Sequence, residues 1–203
     1  MKIICVGRNY VKHIEELKNV QLDEPAIFLK PESALIKGEQ LFEIPSFSSN
    51  IHHELELVLR IDKNGKDILL ENASEHYSEI ALGLDFTARD IQDKLKDKKL
   101  SWELSKAFDN AAAIGDFVSI KQLNNPSQIG FYLMKNENKV QEGRSTEMIF
   151  NFDFIVSFVS KYFSLETGDL IYTGTPAGVG PVASGDILLG FLEDKLNLEV
   201  RIK

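Results

Sequence analysis

The sequence predicts an α+β fold rich in short strands, and three observations carry that prediction. Short apolar runs, several of them alternating with polar residues, recur along the chain with turn residues between them. Only a few stretches have the length and composition of a helix. The 203 residues, 43% of them hydrophobic, suffice for one sizeable core, and no internal repeat, linker or low-complexity segment divides them.

Residues 2–6 read as a strand ended by Gly7, and a polar helix follows over about 11–19. Residues 21–25 form a turn. A short strand lies between Pro25 and Pro31, and another covers 42–45. The loop 46–50 feeds a strand over 52–61, in which Leu55, Leu57 and Leu59 fall on one face and Glu54, Glu56 and Val58 on the other. Asp62-Lys63-Asn64-Gly65-Lys66 has the chemistry of a hairpin turn. Residues 72–79 form a short helix, with Asn72 and Glu75 at capping-box spacing. Residues 80–86 form a strand that carries Asp85. A charged helix over 87–98 is exposed for much of its length, and a solvated lid edge accounts for its lysines.

Residues 102–109 are less periodic, and the small apolar stretch 111–115 permits close backbone approach. A strand begins at Phe117, segments 129–134 and 139–141 flank Asn136-Glu137-Asn138 as a hairpin, and 148–150 is a short strand. Asn151 caps a helix running through Phe163, apolar on nearly every face and therefore heavily buried, within the chain or against a partner subunit. Strands over 170–173, 187–191 and 196–202 complete the chain.

The net charge of −8, with no basic tail or Arg/Lys stripe, disfavours nucleic acid as a partner. The N-terminal strand is too short for a signal peptide, and no apolar run approaches membrane length. The single cysteine, Cys5, cannot form an internal disulfide and reads as a buried, inert thiol, which suits a reducing compartment. A cytoplasmic protein without membrane association is the expectation.

Two glutamates side by side on one strand face repel unless something positive sits between them. Glu54 and Glu56 are therefore either a solvated strand face or part of a site for a hard cation, which prefers carboxylate oxygens. Asp85 is the only charge in its apolar run, and His52-His53 precede Glu54 in a chain with four histidines. His13 and Glu16 are three apart and share a helix face, as a proton-transfer pair or as ordinary surface. Lys30 stands at a strand end, pointing into a site or into solvent. The loop Gly174-Thr175-Pro176-Ala177-Gly178-Val179-Gly180-Pro181 is neither a phosphate loop nor a dinucleotide fingerprint. It is a structural turn or a backbone anion nest with the Thr175 hydroxyl as donor.

Gly7-Arg8-Asn9-Tyr10, Lys30-Pro31, His53-Glu54-Leu55-Glu56, Asp85-Phe86-Thr87-Ala88-Arg89-Asp90, Lys106-Ala107-Phe108-Asp109 and the Gly174–Gly180 loop occur in that order. Together they resemble the fumarylacetoacetate hydrolase family over essentially the whole chain, in particular its short acylpyruvase and oxaloacetate decarboxylase branch. The resemblance implies a mixed β-roll or sandwich with a few short helices, like that family's C-terminal domain. It implies one catalytic domain over 1–203, residues 8–20 forming a mobile lid helix, and a homodimer. It places Mg²⁺ or Mn²⁺ on Glu54, Glu56 and Asp85. His13, Glu16 and Lys106 become the catalytic groups, and Arg8, Lys30, Arg89, Gln92, Gly174 and Thr175 surround a small 2-oxo acid. Ala107 and Ala113 depart from the Ser or Gly and the Pro common there.

The implied chemistry is hydrolytic C–C cleavage of acylpyruvates (2,4-dioxo acids). His13 and Glu16 would prepare a water and Lys106 would face the developing oxyanion. Decarboxylation of oxaloacetate is a second activity. Oxaloacetate tautomerisation, or isomerisation of a 2-hydroxy-dienoate such as 2-hydroxyhepta-2,4-diene-1,7-dioate, is the alternative, and needs no attacking water. A dimeric scaffold with a vestigial pocket is the non-enzymatic alternative, and predicts no saturable metal binding.

Overall fold

A computed structural model describes residues 1–17, 20, 22–36 and 41–203. Its largest sheet has the order β2 (Ala26–Lys30), β1 (Ile3–Gly7), β12 (Leu170–Tyr172), β5 (Leu55–Ile61), β6 (Tyr77–Asp85) and β8 (Ala112–Ile114), and β9 (Val118–Ser119) also pairs with β6. Only β1 and β12 run parallel in it. A second sheet has the order β11 (Asn138–Arg144), β10 (Gly130–Lys135), β14 (Ile187–Leu192), β15 (Lys195–Ile202) and β3 (Leu41–Phe42). A small third sheet joins β13 (Gly180–Pro181), β4 (Ile51–His53) and β7 (Thr87–Ala88). The α-helices are α1 (Val11–Glu16), α2 (Arg89–Asp97), α3 (Glu103–Lys106) and α4 (Phe152–Ser160). This is the β-rich α+β class that the sequence predicts.

Strand alternation divides the interior. Leu55, Leu57 and Leu59 of β5 and Ile80, Leu82 and Leu84 of β6 face the main core, together with Phe131, Leu188 and Val200 of the second sheet. Gly190 lets the sheets meet: a Cβ there would lie 3.2 Å from Leu82 and 3.5 Å from Leu55. The opposite face of the first sheet carries a smaller apolar cluster of Ile3, Cys5, Phe28, Val58, Ala112, Leu170 and Tyr172, with Trp102 packed against it. Glu56 and Asp85 alternate onto this second face, so the acids emerge beside a small apolar layer and away from the main core.

Several expectations change. β5 and β6 pair antiparallel, but Gly65 bridges to Leu165 instead of closing a tight hairpin. The helix expected over 72–79 is a 3₁₀ turn at Leu70–Glu75, because Tyr77–Glu79 is drawn into the β6 ladder. The stretch 111–115 contains the edge strand β8, which small alanine side chains had disguised. The strand expected at 148–150 reduces to a bridge between Tyr10 and Met148. Asn151 does cap α4, accepting from the Phe154 N–H at 2.9 Å, but that helix ends at Ser160. α1 ends at Glu16, and its expected extension through Lys18 and Asn19 lies outside the described residues, as does Gln21 of the expected turn. No helix among the described residues is long and apolar enough to cross a membrane.

Candidate metal centre

The β5–β6 register assembles the acids. Leu55 faces Leu84, Glu56 faces Gly83, and the Asp85 N–H donates to the Glu54 carbonyl at 2.9 Å. Glu54 sits in the one-residue break between β4 and β5, opposite Asp85, and Glu56 lies diagonally across. One carboxylate oxygen from each lies within 4.8 Å of the others, and all three residues are buried. Gly83 leaves the space this needs, since a Cβ there would sit 2.6 Å from the Tyr172 ring.

Cations surround the acids. Lys106, at the end of α3, donates to Glu54 Oε2 at 2.8 Å and to Asp85 Oδ2 at 2.6 Å. Arg89, at the start of α2, donates to Glu54 Oε1 and, at 2.5 Å, to Gln92 Oε1. Burial pushes the Glu54 carboxyl up, but Lys106 and Arg89 outweigh it and hold it well below the usual range. Burial likewise works against the charged Lys106, and Asp85 and Glu54 overcome it, raising its pKa. Glu56 has no such partner. Burial, then the charges of Asp85 and Glu54, push its carboxyl well above the usual range, against one donor, the Gly174 N–H at 2.7 Å from Oε2.

A hard dication fits this donor set. It would face three carboxylates, offset the repulsion that Asp85 and Glu54 exert on Glu56, and reach Asp85 Oδ1, which accepts no hydrogen bond. Lys30 Nζ lies 2.8 Å from that oxygen as an ion pair, off the direction a hydrogen bond needs. Glu54, Glu56 and Asp85 are thus a divalent-metal-binding triad suited to Mg²⁺ or Mn²⁺.

The other predicted residues are placed as follows. His13, Arg8, Arg89, Gln92, Lys106 and Thr175 line one cavity with the triad. His13 Nδ1 lies 3.3 Å from Glu16, whose oxygens also accept from the Gly178 N–H at 3.1 and 3.2 Å. Burial lowers the His13 pKa against the raising effects of Glu54 and Glu16, which favours the neutral ring. Lys30 does not line the cavity. Its ammonium is taken up by Asp85, the Lys106 carbonyl and the Ala111 carbonyl, the last at 3.1 Å. Gly174 likewise faces Glu56 through its N–H. The Thr175 hydroxyl donates to the Leu55 carbonyl at 2.8 Å, so as placed it offers the cavity only an acceptor. Cys5 is free and buried, and burial pushes its thiol well up.

Sequence reasoning missed Gln141. It is buried in β11, donates to Thr175 Oγ1 at 2.8 Å and to the Pro176 carbonyl at 3.0 Å. Its Oε1 accepts from the Leu55 N–H at 3.0 Å and from His53 Nδ1 at 2.9 Å. His53 therefore braces the acid strand and does not join the triad. Asn9 does similar work, donating to the Thr173 and Phe150 carbonyls at 2.8 and 3.0 Å. Lys96, read as solvated, lines the cavity because it shares a helix face with Arg89 and Gln92.

A β-rich fold carrying a buried three-acid centre defines a class of metal-dependent enzyme. The chain belongs to the fumarylacetoacetate hydrolase family: the model for the fumarylacetoacetate (FAA) hydrolase C-terminal region matches residues 2–203. It is similar to the mitochondrial oxaloacetate tautomerase FAHD1 of Mus musculus, at 38% identity over 201 residues, 99% of this chain and 91% of that protein. It is 43% identical over 191 residues to the mitochondrial oxaloacetate decarboxylase of Dictyostelium discoideum, covering 92% of this chain and 86% of that one. The fumarylpyruvate hydrolase of Pseudomonas aeruginosa, solved with Mn²⁺ and pyruvate, superposes with a TM-score of 0.93 at 37% identity, over 100% of this chain and 89% of that one. These relatives overturn the cytoplasmic expectation. The mouse and Dictyostelium proteins are mitochondrial, and a single cysteine, which can form no internal disulfide, does not identify a compartment.

Proposed function

We propose that the chain interconverts the keto and enol forms of oxaloacetate-like 2-oxo acids, with Mg²⁺ or Mn²⁺ on the triad. In this reading acylpyruvate cleavage and oxaloacetate decarboxylation are further reactions of the same site. The observation that carries the proposal is the buried His13, its pKa lowered by burial, beside the triad in a cavity that no Ser or Cys lines among the described residues. The names of the mouse and Dictyostelium relatives support oxaloacetate as substrate.

A bound Mg²⁺ or Mn²⁺ supplies a Lewis acid that withdraws electron density from the 2-oxo acid. Glu16 holds the Nδ1–H tautomer of His13 and leaves Nε2 as the acceptor for the proton next to the carbonyl. Lys106 neutralises the negative charge that develops on the substrate oxygen. Three carboxylates face the three cations Lys30, Arg89 and Lys106, so a dication leaves a surplus of positive charge that favours a dianion such as oxaloacetate. α1 acts as the lid in this account, latched through Glu16 to Gly178. The homodimer belongs to the same proposal, and light scattering checks it.

A second reading is hydrolysis, supported by the likeness to the fumarylpyruvate hydrolase. There the His13–Glu16 pair would activate a water. Stopped-flow ketonisation of enol-oxaloacetate, run beside acetylpyruvate cleavage with Mg²⁺, separates the two. The expected result is a kcat/KM for ketonisation at least about tenfold higher. Cleavage with no catalysed ketonisation overturns the proposal.

A further inference from the structure

The cavity continues beyond the triad. Arg89, Gln92 and Lys96 stand at i, i+3 and i+7 on α2 and all line it. Arg89 is spent on Glu54 and Gln92. Lys96 stands about 10 Å further along the helix axis, and side chains on a helix lean back toward its N-terminus. Arg8 enters from the turn after β1, where its backbone is left-handed at φ 61. Both reach the same ring, with the Arg8 guanidinium carbon 5.6 Å and Lys96 Nζ 6.0 Å from the Trp102 ring centre.

Neither cation has a carboxylate partner among the described residues. Arg8 makes one long bond, from Nη1 to the Val20 carbonyl at 3.5 Å, and its Nε is buried with no acceptor. Burial, with the charges of Arg89 and Arg8, holds the Lys96 pKa below its ordinary value. Like charges gathered at a half-buried wall are unfavourable until an anion joins them. Cation–π contact with one indole offsets only part of that.

We propose that Arg8 and Lys96, set around Trp102, form the subsite for a second carboxylate at the end of the substrate remote from the triad. They make the enzyme selective for dicarboxylic 2-oxo acids over those with neutral tails. The inference rests on the reading that the triad end holds the 2-oxo acid's own carboxylate and carbonyl. A guanidinium and an ammonium facing one carboxylate supply charge-assisted bonds to its two oxygens.

The experiment is calorimetric titration of the Mg²⁺-loaded protein with L-malate and L-lactate, unreactive hydroxy acids with and without the distal carboxylate. The wild type is expected to prefer malate. Lys96→Met keeps the stem and removes the charge. Arg8→Asn removes the guanidinium and tolerates the left-handed backbone. Each is expected to weaken malate about 10–100-fold, the worth of a hydrogen bond to a charged group, and to change lactate by less than about twofold. Equal losses for both ligands, or no loss for malate, overturn the subsite alone. Failure of the wild type to bind either ligand overturns the subsite and the underlying reading of the triad together.

Discussion

His13 decides whether the site moves protons. If its neutral ring is the base, His13→Ala or Glu16→Gln lowers ketonisation by about 10²–10⁴-fold. Metal affinity barely moves, because neither residue belongs to the triad. Oxaloacetate decarboxylation needs no attacking water and is expected to lose less than acylpyruvate cleavage; equal losses indicate a lid or shuttle role. The base form of a histidine is the neutral one, so activity is lost as pH falls through its pKa. Burial depresses that pKa, which sets the acid limb of the pH–rate profile below 6.5, the ordinary histidine value. Glu56 behaves oppositely. Its carboxyl is raised, so a dication must displace a proton, and Mn²⁺ affinity is expected to weaken as pH falls. Calorimetry in buffers of different ionisation enthalpy reads the released proton; affinity independent of pH contradicts the assignment. Much of this was legible. Glu54 and Glu56 at i,i+2 opposite a leucine face, and Asp85 alone in an apolar run, are patterns of single strands. Gln141 was not, because its importance lies in contacts to His53, Leu55 and Thr175, which nothing local in a polar hairpin strand announces.

The loop after β12 and the helix α1 act as one element through the Glu16–Gly178 latch. Gly178 has φ 97, and a Cβ there would lie 2.1 Å from the Val140 carbonyl oxygen. Gly178→Ala is expected to cost about 1–2 kcal/mol for the left-handed backbone alone. It should displace the latch, lowering kcat/KM about tenfold while leaving Mn²⁺ affinity intact, as steady-state kinetics and titration would show. Unchanged kinetics mean the latch is ornamental to catalysis. At this scale the sequence was readable where alternation was strong, as in β5 and β15, and where an apolar run was continuous, as over residues 80–85 of β6. It misled where composition and context disagreed. Residues 72–79 contain good helix formers, yet the ladder with β5 claims Tyr77–Glu79. Ala112 and Ala113 carry no strand signal, yet edge pairing with Leu84 and Asp85 makes them β8. Lys96 looked solvated because helical periodicity shows which residues share a face, and cannot show what that face meets.

The whole molecule is built so that a buried charge cluster is completed from outside. The triad is drawn from β5, β6 and the break before β5, its cations from β2, α2 and α3, and its bracing from β11 in the second sheet. Metal binding should therefore stabilise the fold globally. A ligand at one hundred times its Kd contributes about 2.7 kcal/mol, which raises Tm by roughly 5–10 °C for a chain of this size. Thermal melts with and without Mn²⁺ check this, and the triad variants should show no such rise. The most direct measurement counts bound Mn²⁺ by electron paramagnetic resonance in the wild type, Glu54→Gln, Glu56→Gln and Asp85→Asn. One tightly bound ion per chain in the wild type, lost or greatly weakened in each variant that still folds, is the predicted result. Equal Mn²⁺ binding in all four proteins would contradict the assignment of the metal to these three carboxylates.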